Sequence, residues 1–155
     1  YEVLADDLAV IDENCCVVPA YPGMKLWQDS AKKLDIATDG LQRIRYQIEK
    51  FAYPIGEQFC ATPLPVRAVY LLNSHNQPDF EFLPITGFAK FNPLKNNTYR
   101  IGYLKGLGLN ATHLKLCSEV ANRVALTRIT RPNDGFKLNE LVEHILDDLG
   151  DGAAA

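Results

Sequence analysis

Val3-Leu4-Ala5-Asp6-Asp7-Leu8-Ala9-Val10-Ile11 sets the frame in which the rest of the chain is read. Val3 to Ala5 predict a short buried strand running into two adjacent acids, and Leu8 to Ile11 resume the apolar pattern before the polar turn Asp12-Glu13-Asn14. Carboxylates so close disfavour joint ionisation unless a cation compensates. In open α/β sheets ligands sit beyond the carboxyl ends of strands, so a strand that ends in Asp6-Asp7 delivers acids where a magnesium-nucleotide site belongs. One acid would hold magnesium while the other orients or deprotonates a hydroxyl. Taken alone, an Asp-Asp pair also suits a turn that faces solvent.

Moving outward, Cys15 to Val18 predict a second strand with Cys15 and Cys16 on opposite faces. Pro19 and Pro22-Gly23 break the chain around Tyr21, and Met24 to Trp27 form a short apolar piece that carries Lys25. Asp29 or Ser30 suits the cap of a short helix through Leu34, while Leu41 to Phe51 mix helical and strand character. Val66 to Leu72 predict a central strand closed by the turn signal Asn73-Ser74-His75-Asn76, with Phe80 to Leu83 as its hairpin partner.

From Gly87 the pattern turns helical, is interrupted at Pro93, and restarts at Asn96-Asn97-Thr98 through Leu104. Asn110 suits the cap of a helix with the stripe Leu114, Cys117, Val120 and Ala121, followed by a strand from Val124 to Ile129 and a turn at Pro132 and Asp134-Gly135. Leu138, Leu141, Val142, Ile145, Leu146 and Leu149 recur at helical spacing, which predicts an amphipathic helix packed on the sheet or serving a homo-oligomer interface. The fold class is α/β, a mixed sheet flanked by helices. Residues 1–150 read as one domain and residues 151–155 as a disordered tail, since Ala153 to Ala155 have nothing to bury.

Composition narrows the function classes. With 155 residues, 47% of them hydrophobic, the chain suits one domain with its own core. A formal net charge of -3 argues against a nucleic-acid surface, which needs clustered Lys and Arg. No apolar run reaches bilayer length and the first residues lack a signal-peptide order, so the reading is cytoplasmic, away from membranes. Cys15, Cys16, Cys60 and Cys117 show no zinc spacing and read as free thiols in a reducing compartment. His75, His113 and His144 read as surface histidines, and Trp27 as a core anchor. Arg128 and Arg131 carry guanidinium forks that suit a nucleotide or phosphorylated product, although surface ion pairs are the commoner fate of such residues.

Three segments in order, Leu4 to Ile11, then Tyr21-Pro22-Gly23-Met24-Lys25-Leu26-Trp27-Gln28-Asp29-Ser30-Ala31, then Thr127-Arg128-Ile129-Thr130-Arg131-Pro132, give the chain its family likeness. It resembles the HPr serine kinase family. The first segment matches the family's Ala-Asp-Asp strand, and the second its Pro-x-(Lys/Arg)-Leu-Trp-like segment. The resemblance implies a P-loop nucleotide-binding core related to phosphoenolpyruvate carboxykinase. Such a core transfers a phosphoryl group from ATP, with Mg2+, to a hydroxyl of a peptide, protein or small compound, typically a serine. Asp6 and Asp7 inherit the metal and base roles. Lys25 sits where the family places a basic residue near the site; it either contacts phosphate or lies along Trp27. Members of the family also assemble into oligomers.

One departure is large. The loop G-x-x-x-x-G-K-[ST], which supplies the phosphate cradle, occurs nowhere in the chain, and Gly102, Gly106 and Gly108 do not make one. In the family that loop precedes the Asp-Asp strand, so the chain reads as the C-terminal part of such a core. The alternative is a kinase-like module without catalysis that binds a peptide or protein partner.

Overall fold

Asp12 closes the first turn of the fold, seen in a computed structural model that describes residues 1–151. Strand β1 (Val10–Ile11) returns as β2 (Cys16–Val18), with Ile11 opposite Val17. Between them the Asp12 carboxylate accepts the N–H groups of Asn14 at 2.9 Å and Cys16 at 2.8 Å. Cys15 then takes a left-handed conformation, φ 63°, the usual way for a type I turn to rejoin a hairpin. Cys15 therefore precedes the strand, instead of alternating with Cys16 along it as predicted.

The chain divides into two compact units, the first spanning Tyr1–Val66. In it β2 also pairs with β5 (Leu64–Pro65), and a second antiparallel pair joins β3 (Gly23–Trp27) to β4 (Lys50–Pro54). Leu26 and Phe51 face each other across that pair and are both buried, with Ala31, Ile55 and Cys60. Helix α1 (Gln28–Lys33) starts directly at Trp27, so neither Asp29 nor Ser30 is its cap; Asp29 lies in the first turn and Lys32 and Lys33 in the last, as the helix dipole favours. Left-handed Asp35 ends it, with Ile36 N–H bonded to Ala31 O at 2.9 Å and Asp35 N–H to Lys32 O at 3.3 Å, a Schellman stop made without glycine.

Val3 to Ala5 do not form the predicted buried strand. Only Val3 makes a bridge, parallel to Phe59, and all three residues are half-buried. Three residues with one bridged neighbour lack the ladder that a strand needs.

The second unit begins at Arg67. It holds a mixed sheet of β6 (Ala68–His75), β7 (Glu81–Pro84) and β8 (Ala125–Pro132), ordered β6-β8-β7. β8 is parallel to β6 and antiparallel to β7. This overturns two expectations: β6 is an edge strand, and β7 is not its hairpin partner because β8 lies between them. Leu126, Thr127, Ile129 and Pro132 of β8 are buried, whereas Leu72, Asn73 and Ser74 of β6 are exposed. The Asn73-Ser74-His75 turn signal is overridden too, since these residues pair with Thr130, Arg131 and Pro132; the ladder outweighs local turn propensity.

Helices cover both faces of this sheet. Tyr70 donates to the Asp148 carboxylate at 2.6 Å and the Phe82 ring lies 5.6 Å from that of His144, which sets α4 (Leu138–Asp151) on the face shared by Tyr70, Thr127, Phe82 and Ile129. The other face carries Leu126 and Arg128; Arg128 shares a groove with Asn92, Pro93 and Asn96 of α2 (Phe91–Asn96), against which α3 (Asn110–Arg123) packs. A 3-10 turn, Gly87–Lys90, leads straight into α2. Pro93 does not interrupt it: as the third helical residue it needs no intrahelical partner for a missing N–H. After Asn97 the chain leaves the helix, and only a 3-10 turn at Ile101–Tyr103 follows. Asn110 is the first residue of α3 and not its cap, and the buried stripe is Cys117 and Val120 with Leu114 turned outward, 54% exposed. In α4 Leu141 is buried, while Leu138, Val142 and Leu146 keep more than a third of their surface. The tail predicted over 151–155 lies outside the described residues beyond Asp151, where α4 ends.

Candidate functional site

Backbone contacts hold the acid pair from both sides. Val3 N–H bonds to Gln58 O at 2.7 Å, Cys60 N–H to Val3 O at 3.0 Å, and Ala20 N–H to Leu4 O at 2.8 Å, so the segment is fixed just before it bends at Asp6-Asp7. β3 runs past that bend. Its outer edge offers the Lys25 N–H, which donates to Asp6 Oδ2 at 2.9 Å. The Lys25 side chain, on the opposite face from buried Leu26, places Nζ 2.8 Å from Asp7 Oδ2 and 3.9 Å from Asp6 Oδ2.

A second lysine completes the cluster. Lys50 stands opposite Trp27 in the β3–β4 register, with Nζ 3.7 Å from Asp7 Oδ2 and 5.3 Å from the centre of the Trp27 ring. Two carboxylates thus face two ammonium groups. The hydrogen bond from Lys25, opposed in part by desolvation and aided by the charge of Lys50, holds the Asp7 carboxyl below its ordinary value. The same bond raises Lys25.

The cluster lies at one side of a cavity of about 510 Å3. Asp6, Asp7 and Lys25 supply its charged groups, and Tyr21, Met24, Ile44 and Tyr53 are among its mainly apolar lining. Gly23 belongs there for a steric reason: a Cβ at this position would stand 3.0 Å from the Tyr21 ring. The arrangement combines anions, cations and an apolar wall of a size that suits a small organic ligand.

The sequence-predicted residues divide between the two units. Asp6, Asp7 and Lys25 come together in the first, and Arg128 and Arg131 stand on β8 in the second. Asp6 and Asp7 are partly exposed, at 21% and 49% of their side-chain surface. Trp27 is 48% exposed and is not a core anchor. Lys25 pairs with the acids in place of lying along Trp27; that neighbour is Lys50, which sequence reading missed because its strand register was hidden in Leu41 to Phe51. His113 is half-buried, with Nε2 2.8 Å from Thr98 Oγ1, and is not a surface histidine.

Magnesium takes few protein ligands and keeps several waters, binding through one or two carboxylates plus substrate phosphates. Partly exposed Asp6 and Asp7 at a cavity wall fit that donor set. Among the described residues no group of three or more His, Cys, Asp or Glu forms a fuller metal cage, and no helix is long and apolar enough to cross a membrane. Neither protein-family models, nor curated proteins, nor solved structures give a match to this chain.

Proposed function

We propose that the Asp6-Asp7-Lys25-Lys50 cluster is the phosphoryl-transfer end of a kinase site resembling that of the HPr serine kinase family, built on a P-loop core of the phosphoenolpyruvate carboxykinase kind. The observation that carries this reading is the double grip of Lys25, whose backbone holds Asp6 while its ammonium holds Asp7. Such a grip keeps both carboxylates aimed at one place with their charge compensated.

In this reading Asp6 and Asp7 share the metal and base roles: one would hold magnesium, which would supply charge neutralisation to the phosphate oxygens of ATP. Lys25 and Lys50 are the cations that an incoming phosphate would meet. A phosphate arriving at the cluster competes with Asp7 for both ammonium ions, because it carries more charge and more acceptor oxygens. The other acid of the pair would orient the acceptor hydroxyl or take its proton. Arg128 and Arg131 stand in the second unit and take no part in this reading. The acceptor is a peptide, protein or small hydroxyl compound.

The missing phosphate-cradling loop favours a second reading, a kinase-like module that recognises a peptide or protein partner without turnover. Magnesium-dependent ATP binding that is lost in the double variant D6N/D7N supports the kinase; binding unaffected by both substitutions removes it.

A further inference from the structure

A groove in the second unit, about 660 Å3 in volume, runs between β6 and α2. Four consecutive residues of β6, Tyr70 to Asn73, line it. Leu71 and Arg128 are register partners on the α2 side of the sheet, whereas the Tyr70 side chain is held on the opposite side by Asp148, so Tyr70 meets the groove through its main chain and the groove exposes the backbone of β6 beside that face. The outer edge of β6 carries no other strand among the described residues. Across the groove stand Asn92 and Asn96, one turn apart on α2, and Arg128 of β8 contributes its only charged side chain. Among the described residues the side chains of Asn73, Asn92, Asn96 and Arg128 have no hydrogen-bond or ion-pair partner.

These features converge on one kind of ligand. An open strand edge presents N–H and C=O groups at the spacing of another extended chain. A carboxamide donates and accepts, so it satisfies a peptide unit whatever side chain that unit bears. Side chains at i and i+4 on a helix lie about 5–6 Å apart, close to the roughly 6.6 Å between alternate residues of an extended strand. Arg128 adds a planar fork matched to a carboxylate, with no acid in the lining to neutralise it.

We propose that this groove binds an extended acidic peptide segment. Its main chain adds to the outer edge of β6 and is held by Asn92 and Asn96, and a Glu or Asp side chain reaches Arg128. The site lies wholly in the second unit and does not rest on the phosphoryl-transfer reading.

Fluorescence anisotropy on the full chain tests it, with labelled seven-residue peptides identical except for a central Glu, Gln or Lys. The Glu peptide is expected to bind about tenfold or more tightly than the Gln peptide, the scale of one charge-assisted contact. R128Q should erase that preference, and R128E should move it to the Lys peptide. N92A/N96A should weaken all three peptides alike, with circular dichroism melts confirming that the variants fold. N-methylation of alternate peptide amides should abolish binding to the unaltered protein, a result that no folding defect can mimic. Equal affinity for the Glu and Gln peptides, a preference that survives R128Q, or tolerance of N-methylation would each overturn the proposal. So would competition by inorganic phosphate or free glutamate at the concentration of the peptide, which marks a bare anion site.

Discussion

Lys25 and Asp7 form an ion pair of 2.8 Å in which the lysine's own backbone is held by the neighbouring acid, Asp6, at 2.9 Å. Two residues distant in sequence are thereby fixed to one another through the edge of β3. Titration of the Asp7 carboxyl by carbon NMR should give a value below the ordinary 3.8, and K25M should raise it. The sign follows from linkage: a depressed carboxylate contributes stability above its unfolded value and loses it as pH falls through the folded one. Lys25, raised from 10.5, contributes below that value and loses its share as pH rises through the folded one. Because both groups are exposed, both slopes should be shallow and flattened by salt.

Tyr70 behaves differently because it is half-buried. Desolvation first, then the hydrogen bond to Asp148, push its phenol up to about 12. A raised phenol contributes stability that is complete below the unfolded value near 10 and lost as pH rises toward 12. Ultraviolet titration of the phenolate should find this late group, and D148N should lower it without restoring 10, since burial remains. Y70F should cost about 1.5–3 kcal/mol at neutral pH, as for a hydrogen bond to a charged acceptor, and should remove the alkaline slope.

Lys50 meets Trp27, the single tryptophan of the chain. K50M should destabilise the protein by about 0.5–1 kcal/mol, the size of an exposed cation–π contact. It should also shift the tryptophan emission, because the charge nearest the ring is gone. Urea unfolding followed by fluorescence measures both effects at once; unchanged emission would show that Lys50 does not sit over the ring.

Ile129 is fully buried on the central strand and Leu114 points outward from α3. I129A should cost about 2–5 kcal/mol through lost burial and the cavity left behind, whereas L114A should stay within about 0.5 kcal/mol. Denaturant melts of the two variants distinguish this arrangement from the stripe that sequence spacing suggests.

Much of the second unit was legible because its patterns are long. Val124 to Ile129 and the run from Leu138 to Leu149 match β8 and α4, where apolar spacing persists over several turns or pairs. Strand order was not legible, since nothing in Val66 to Leu72 distinguishes an edge from a centre; that depends on the partner that lies beside it. Pro93 and Asn73-Ser74-His75 misled because a helix's first turn tolerates proline and a parallel ladder absorbs turn formers. In the site, Asp6, Asp7 and Lys25 were readable as residues but not as a cluster. Lys50 was invisible until the register Trp27 opposite Lys50 was known, for no local spacing connects residues on either side of α1.

The central claim is that Asp6 and Asp7 serve a magnesium-nucleotide site. Calorimetric titration of ATP, with and without magnesium, into this chain and into one carrying whatever coding sequence precedes Tyr1 in frame, each beside its D6N/D7N counterpart, tests it most directly. Magnesium-dependent heat from at least one unaltered chain, abolished in its double variant, is the predicted result; heat absent from both, or equal in the variants, would contradict it.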